Sequence, residues 1–88
     1  MNYPRRFQLR RYHDESGVSG LGIVAHGVEW GDGKVATHWN FDITHTDVWD
    51  SMDHMISVHG HGGATVVEWI DEVLTENSIE AQASQVNG

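Results

Sequence analysis

The sequence predicts an α+β fold: a small, strongly curved antiparallel sheet or SH3-like partial barrel of four to five strands with one short helix. Three observations predict it. An Asp-Gly pair sits between two β-like runs, the strongest short hairpin signal there is. Several short apolar runs alternate with Gly-rich turns. One stretch alone, around Met52, Met55 and Ile56, carries helical spacing behind an N-cap residue.

Taken in order, residues 6–12 form a half-exposed first strand. Phe7 and Leu9 share one face, and Arg6, Gln8 and Arg10 the other. Residues 13–20 hold Asp14, Ser16, Gly17, Ser19 and Gly20 and read as a loop. Residues 21–30 and 34–41 are the two arms of the hairpin. With Asp32-Gly33 as a two-residue turn, Trp30 faces Val35, Val28 faces Thr37 and His26 faces Trp39. That register collects Val28, Trp30, Val35, Thr37 and Trp39 on one face. It leaves Ile23 and Ala25 out of phase, so a bulge at His26-Gly27 is expected to bring them inward. Residues 42–46 connect onward, and 47–49 are either a short strand or a helix entry. Asp50 or Ser51 caps a helix over 51–59, Asp53 favours its N-terminal dipole, and Gly60 stops it. Residues 64–70 are the last strand, with Val67 and Trp69 on one side and Val66, Glu68 and Ile70 on the other. Ile70, Val73 and Leu74 suit one helical turn. One domain over 1–76 and a polar, flexible tail over 77–88 are expected.

The 88 residues leave room for one thin core, and no cysteine is present to staple it. Good packing or oligomerisation must do that work, so a homodimer is a natural expectation. No apolar run approaches the roughly 18–20 residues of a membrane span, and no secretory signal follows the first arginines. A cytoplasmic location is therefore expected.

Charge is divided unevenly. Arg5, Arg6, Arg10 and Arg11 lie in the first eleven residues, and Lys34 is the one further cation against thirteen carboxylates, for a net charge of −8. Such a surface repels phosphate backbones, which makes nucleic acid an unlikely partner. The arginines are expected to lie on a strand beside the acidic body and neutralise it. An anion or protein contact is the alternative for them. A further reading is an acidic mimic of DNA, with carboxylates spread along one face.

The stretch over residues 17–39 (GVSGLGIVAHGVEWGDGKVATHW), with VWDSMD at 48–53 and VHGHGGATVVEW at 58–69, resembles small uncharacterised proteins encoded by actinobacteria and their bacteriophages. The likeness covers roughly residues 17–71. It implies a compact cytosolic protein and a phage accessory role, in the host cytoplasm if phage-encoded. It implies no catalytic residue.

Seven histidines are many for this length. Imidazole binds zinc, copper and nickel, and His54, His59 and His61 are the tightest candidate group. On a helix, however, His54 and His59 point about 140° apart. His59 and His61 equally suit bonding to backbone that the glycine turn leaves unpaired. There is no Cys nucleophile, no G-x-S-x-G and no phosphate loop, so an enzyme is not expected, and no cofactor. Four tryptophans suit a thin core, or an interface, and Trp49 and Trp69 are the interface candidates. The expected function is a non-enzymatic interaction protein with a protein partner, host or self. A divalent-metal-binding protein is the alternative from another class.

Overall fold

A computed structural model describes residues 2–13, 21–40 and 43–73. Five strands and one helix follow in the order β1 (Arg5–Arg11), β2 (Gly22–Glu29), β3 (Val35–Trp39), β4 (His45–Trp49), α1 (Met52–His59) and β5 (Thr65–Trp69). A 3-10 turn at His61–Gly63 joins the helix to β5. All strand pairs are antiparallel and the sheet order is β4-β3-β2-β1-β5. The α+β expectation and the strand count hold. The barrel alternative does not: β4 and β5 are the two edges of an open sheet, with three strands between them.

The first and last strands form as their alternation predicts. Phe7 pairs with Trp69 and Leu9 with Val67, so these four share the inner face. Ser51 rather than Asp50 caps α1, its hydroxyl accepting from the His54 N–H at 3.1 Å. Met55 is fully buried, and Met52 and Ile56 pack beside it. Gly60 follows the helix, donates to the Ile56 carbonyl at 2.8 Å and is buried. A Cβ there would stand 2.6 Å from that carbonyl oxygen, so only glycine fits this close approach.

The hairpin departs from expectation by one residue. Its loop has three residues, Gly31, Asp32 and Gly33, not two. Gly33 donates to the Trp30 carbonyl at 2.9 Å, and Trp30 donates to Lys34 at 2.9 Å. Gly33 takes φ +93°, the left-handed position that closes a three-residue loop. The extra loop residue moves the register, so Glu29 faces Val35, Gly27 faces Thr37, Ala25 faces Trp39 and His26 faces His38. A slip of one residue exchanges the faces of a strand. Val28 and Trp30 therefore leave the core side, and Ala25 and Gly27 enter it. The bulge expected at His26-Gly27 is not there. The irregularity lies further along, where Leu9 pairs with Ala25 but Arg10 with Ile23. The additional residue, Val24, is buried together with Ala25.

The strand alternative for 47–49 holds, and the strand starts earlier than expected, at His45, so that His45 and Thr46 belong to it and not to the connection. No helical turn forms at Ile70–Val73; Ile70 and Asp71 instead donate to the Arg6 carbonyl at 3.0 and 3.4 Å. The expected loop over 14–20, Leu74 and the tail over 77–88 lie outside the described residues.

The core is Phe7, Leu9, Val24, Ala25, Val35, Trp39 and Met55, all on the inner side of the sheet or on the helix. Gly27 belongs to this packing. A Cβ at that position would meet the Phe7 ring at 2.3 Å and the Ala36 carbonyl oxygen at 2.6 Å. The phenyl ring occupies the space that a side chain opposite it would need.

Candidate functional site

The helix covers one face of the sheet, and the other face is where a site can form. Strand alternation sets Arg6, Val28, Ala36 and Val48 in one outward row. The next outward row is Glu68, Gln8, His26, His38 and Thr46. A groove of about 410 Å³ runs over these rows, floored by Val28 and Ala36 and flanked by His26, His38, Arg6 and Ile70. A second groove of about 360 Å³ lies at the hairpin end, between Pro4, Trp30, Lys34 and Val48. Val48 is 71% exposed, and Ile70 and Trp30 are each more than 40% exposed. Apolar side chains left in water on one sheet face are a binding surface by default.

The four arginines are engaged within the molecule. Arg6 holds Asp71 by its Nε at 3.0 Å and Nη2 at 2.8 Å, and its backbone N–H adds a third bond at 2.8 Å. These bonds draw the Asp71 carboxyl down to about 2, the side-chain bond contributing most. Arg10 bonds Glu68 at 3.0 Å. The Glu68 carboxyl is held below the usual range, first by the Gln8 amide and then by Arg10. Arg5 lies 3.5 Å over the Trp69 ring and 3.6 Å from Glu29. Arg11 is buried and donates to the Thr65 hydroxyl at 2.9 Å. Lys34 reaches Asp50 at 3.4 Å. Arg5, Arg6 and Arg10 thus lie on β1 and neutralise acids on and beside the neighbouring strands, as their position in the sequence suggested.

The inner face carries a polar cluster where α1 ends over β3 and β4. Asp47 accepts from the Trp39 indole and from the Trp49 indole, each at 2.8 Å. His59, in the last turn of α1, packs 4.4 Å from the Trp39 ring and 5.5 Å from the Trp49 ring. Its Nε2 is 3.9 Å from Asp47. Burial pushes the His59 imidazole below its ordinary value, and the Asp47 charge offsets part of that. Both indole N–H groups are satisfied by one carboxylate, which explains why a charged residue faces inward from an edge strand.

Among the proposed interface residues, Trp49 packs against the core and bonds Asp47, whereas Trp69 is partly exposed beneath Arg5. Among the proposed metal ligands, His54 and His61 are exposed and His59 is enclosed by indole rings. Among the described residues, no three His, Asp or Glu side chains converge as a metal-binding group. The described carboxylates occupy both faces of the sheet, the turn and the helix rather than one row. Sequence reasoning missed His26 and His38 as cross-strand neighbours, and Trp30 as an exposed ring. The signal for both was the odd loop length allowed by Gly31-Asp32-Gly33.

Among the described residues no helix is long and apolar enough to cross a membrane. A family model described as Acb5 phage protein matches residues 4–71, which is most of the chain. That span runs from just before β1 to Asp71, the last residue bonded to it, so it takes in the whole sheet and the helix. No curated protein matches, and no solved structure matches. The chain belongs to the Acb5 phage protein family.

Proposed function

From this family membership we propose that the chain is a phage accessory protein that acts by binding, not by catalysis. Its partner is a host protein that presents a cationic surface with apolar side chains. The observation that carries this reading is the sheet face that no described element covers, with two grooves along it and exposed apolar residues at Trp30, Val48 and Ile70. Charge decides the kind of partner. The chain has a net charge of −8, and Arg5, Arg6, Arg10 and Lys34 already hold acidic partners within it. A second copy would carry the same net charge, and the two would repel overall. A cationic surface is attracted, and complementary charge steers its approach.

A photo-crosslinking residue placed at position 48, in infected cells, tests this. The crosslinked protein is identified and its affinity for the purified chain is measured. A basic host protein is expected, bound at least about tenfold more weakly after Val48→Lys, which corresponds to about 1.4 kcal/mol. Affinity is also expected to fall with salt. Crosslinks between copies of this chain alone would replace the host partner with a homodimer. An affinity unchanged by Val48→Lys would move the binding surface elsewhere.

A further inference from the structure

We propose that His26 and His38 form a two-histidine chelate for a divalent transition metal (copper, nickel or zinc) at the centre of the uncovered face. The two residues stand directly opposite each other on β2 and β3. The bonds Trp30 N–H to Lys34 at 2.9 Å and Asn40 N–H to Val24 at 3.0 Å fix the alternation of this antiparallel pair. His26 and His38 fall four residues from the first and two from the second, so they are also a hydrogen-bonded pair. Their Cα atoms are then about 5.5 Å apart, with both side chains on one face. Metal–imidazole bonds of about 2.0–2.1 Å bring two ring nitrogens to about 3 Å of each other, within the reach of such neighbours.

The rings are also held in the manner a ligand needs. His38 Nδ1 lies 2.8 Å from the Thr46 hydroxyl. His26 Nδ1 lies 3.4 Å from the Asn40 side-chain amide. A histidine whose Nδ1–H is donated to a neighbour leaves the Nε2 lone pair for a metal. Thr46 Oγ1 accepts that proton directly. The atom that faces His26 Nδ1 is the Asn40 amide nitrogen, which donates to the ring in this orientation. Metal binding through His26 Nε2 requires that amide to turn its oxygen to the ring, a rotation that keeps the same shape. Both imidazoles are exposed and border the 410 Å³ groove, which leaves space for the ion's remaining ligands. No third described His, Asp or Glu joins them in a metal-binding group. The ion therefore keeps open positions filled by water, and the site is exchangeable. The net charge of −8 raises the local concentration of dications. This site stands on the β2–β3 register and does not depend on a protein partner.

Copper, nickel and zinc salts, each added alone to the tag-free full chain, provide the test. Calorimetry reads affinity and stoichiometry, and the histidine ring signals in NMR read location. One equivalent is expected to bind with micromolar affinity, copper most tightly. The expected loss is at least about tenfold on His26→Asn or on His38→Asn, and none on His54→Asn or His61→Asn. Both substituted side chains are exposed, and urea melts of the variants confirm that folding is retained. Three results overturn the proposal: millimolar affinity, several weak equivalents spread over exposed histidines, or binding that survives His26→Asn and is lost on His61→Asn.

Discussion

The two faces of the sheet are built from the same strands and obey opposite rules. Inward, Phe7, Leu9, Ala25, Val35 and Trp39 are sealed, and the indole N–H groups of Trp39 and Trp49 are bonded at Asp47. Outward, Val28, Ala36 and Val48 remain at least partly in water beside histidines and paired arginines. The inner face decides whether the chain folds. The outer face contributes little to that decision, so its composition is free to serve binding. Residues 4–71, where the family model matches, span both faces, so the resemblance includes the face that folding alone does not need.

This contrast can be broken most severely at Gly27. An alanine there would press a methyl group into the Phe7 ring and the Ala36 carbonyl. The carbonyl belongs to the sheet and has no room to move. Gly27→Ala is expected to destabilise by about 3 kcal/mol, read from urea melts. A neutral result would mean that Phe7 does not fill this space in solution.

Asp47→Ala strips the acceptor from two indole N–H groups at once. A loss of about 2 kcal/mol is expected, with a change in tryptophan emission as both indoles lose their partner. Were the inner face tolerant of polar loss, the melt would not move.

The next effect is a dependence on pH. Burial lowers the His59 imidazole below its ordinary value of 6.5, so between the two values the unfolded chain binds more protons. Stability is therefore flat above about pH 6.5 and falls as pH drops through that value toward the folded one. His59→Gln is expected to remove this slope. A stability that rises on acidification would show that the Asp47 charge outweighs burial. Asp71 acts at much lower pH: its carboxyl is held down to about 2, so what the Arg6 bond contributes is present above pH 3.8 and lost as pH falls toward 2.

The smallest effect belongs to the outer face. Val48→Lys, on an edge strand where Val48 is 71% exposed, is expected to change stability by less than about 0.5 kcal/mol. The same substitution is expected to weaken partner binding, which is the separation of roles that the two faces imply. A large stability loss would show that Val48 is covered in solution.

Elements whose apolar pattern matched their environment were legible in the sequence. β1, β5 and the Ser51-capped helix declared themselves through alternation, spacing and a cap residue. β4 was obscured because its pattern is inverted: Val48 points to water and Asp47 points inward to the indoles. The β2–β3 register was ambiguous because Gly31-Asp32-Gly33 supports a loop of two or three residues. The shorter loop exchanges the faces of β2, places Trp30 in the core and separates His26 from His38. The groove was illegible for the same reason, since it exists only in the longer-loop register. The arginine pairs were legible in sign but not in partner, because Glu68 and Asp71 reach β1 only through the long-range β1–β5 pairing.

That pairing also sets a schedule. β1 is synthesised before both of its neighbours, yet it lies between β2 and β5. Arg11 and its partner Thr65 are 54 residues apart. At about 5–20 residues per second, a ribosome needs roughly 3–10 seconds to bridge that gap. Throughout that interval the β5 side of β1 is unpaired, and its apolar row of Phe7 and Leu9 lacks Trp69 and Val67 across from it. The nascent chain is most open to chaperones and to mispairing then, and the β1–β5 seam is fastened only when the residues around Asp71 emerge to take hold of Arg6.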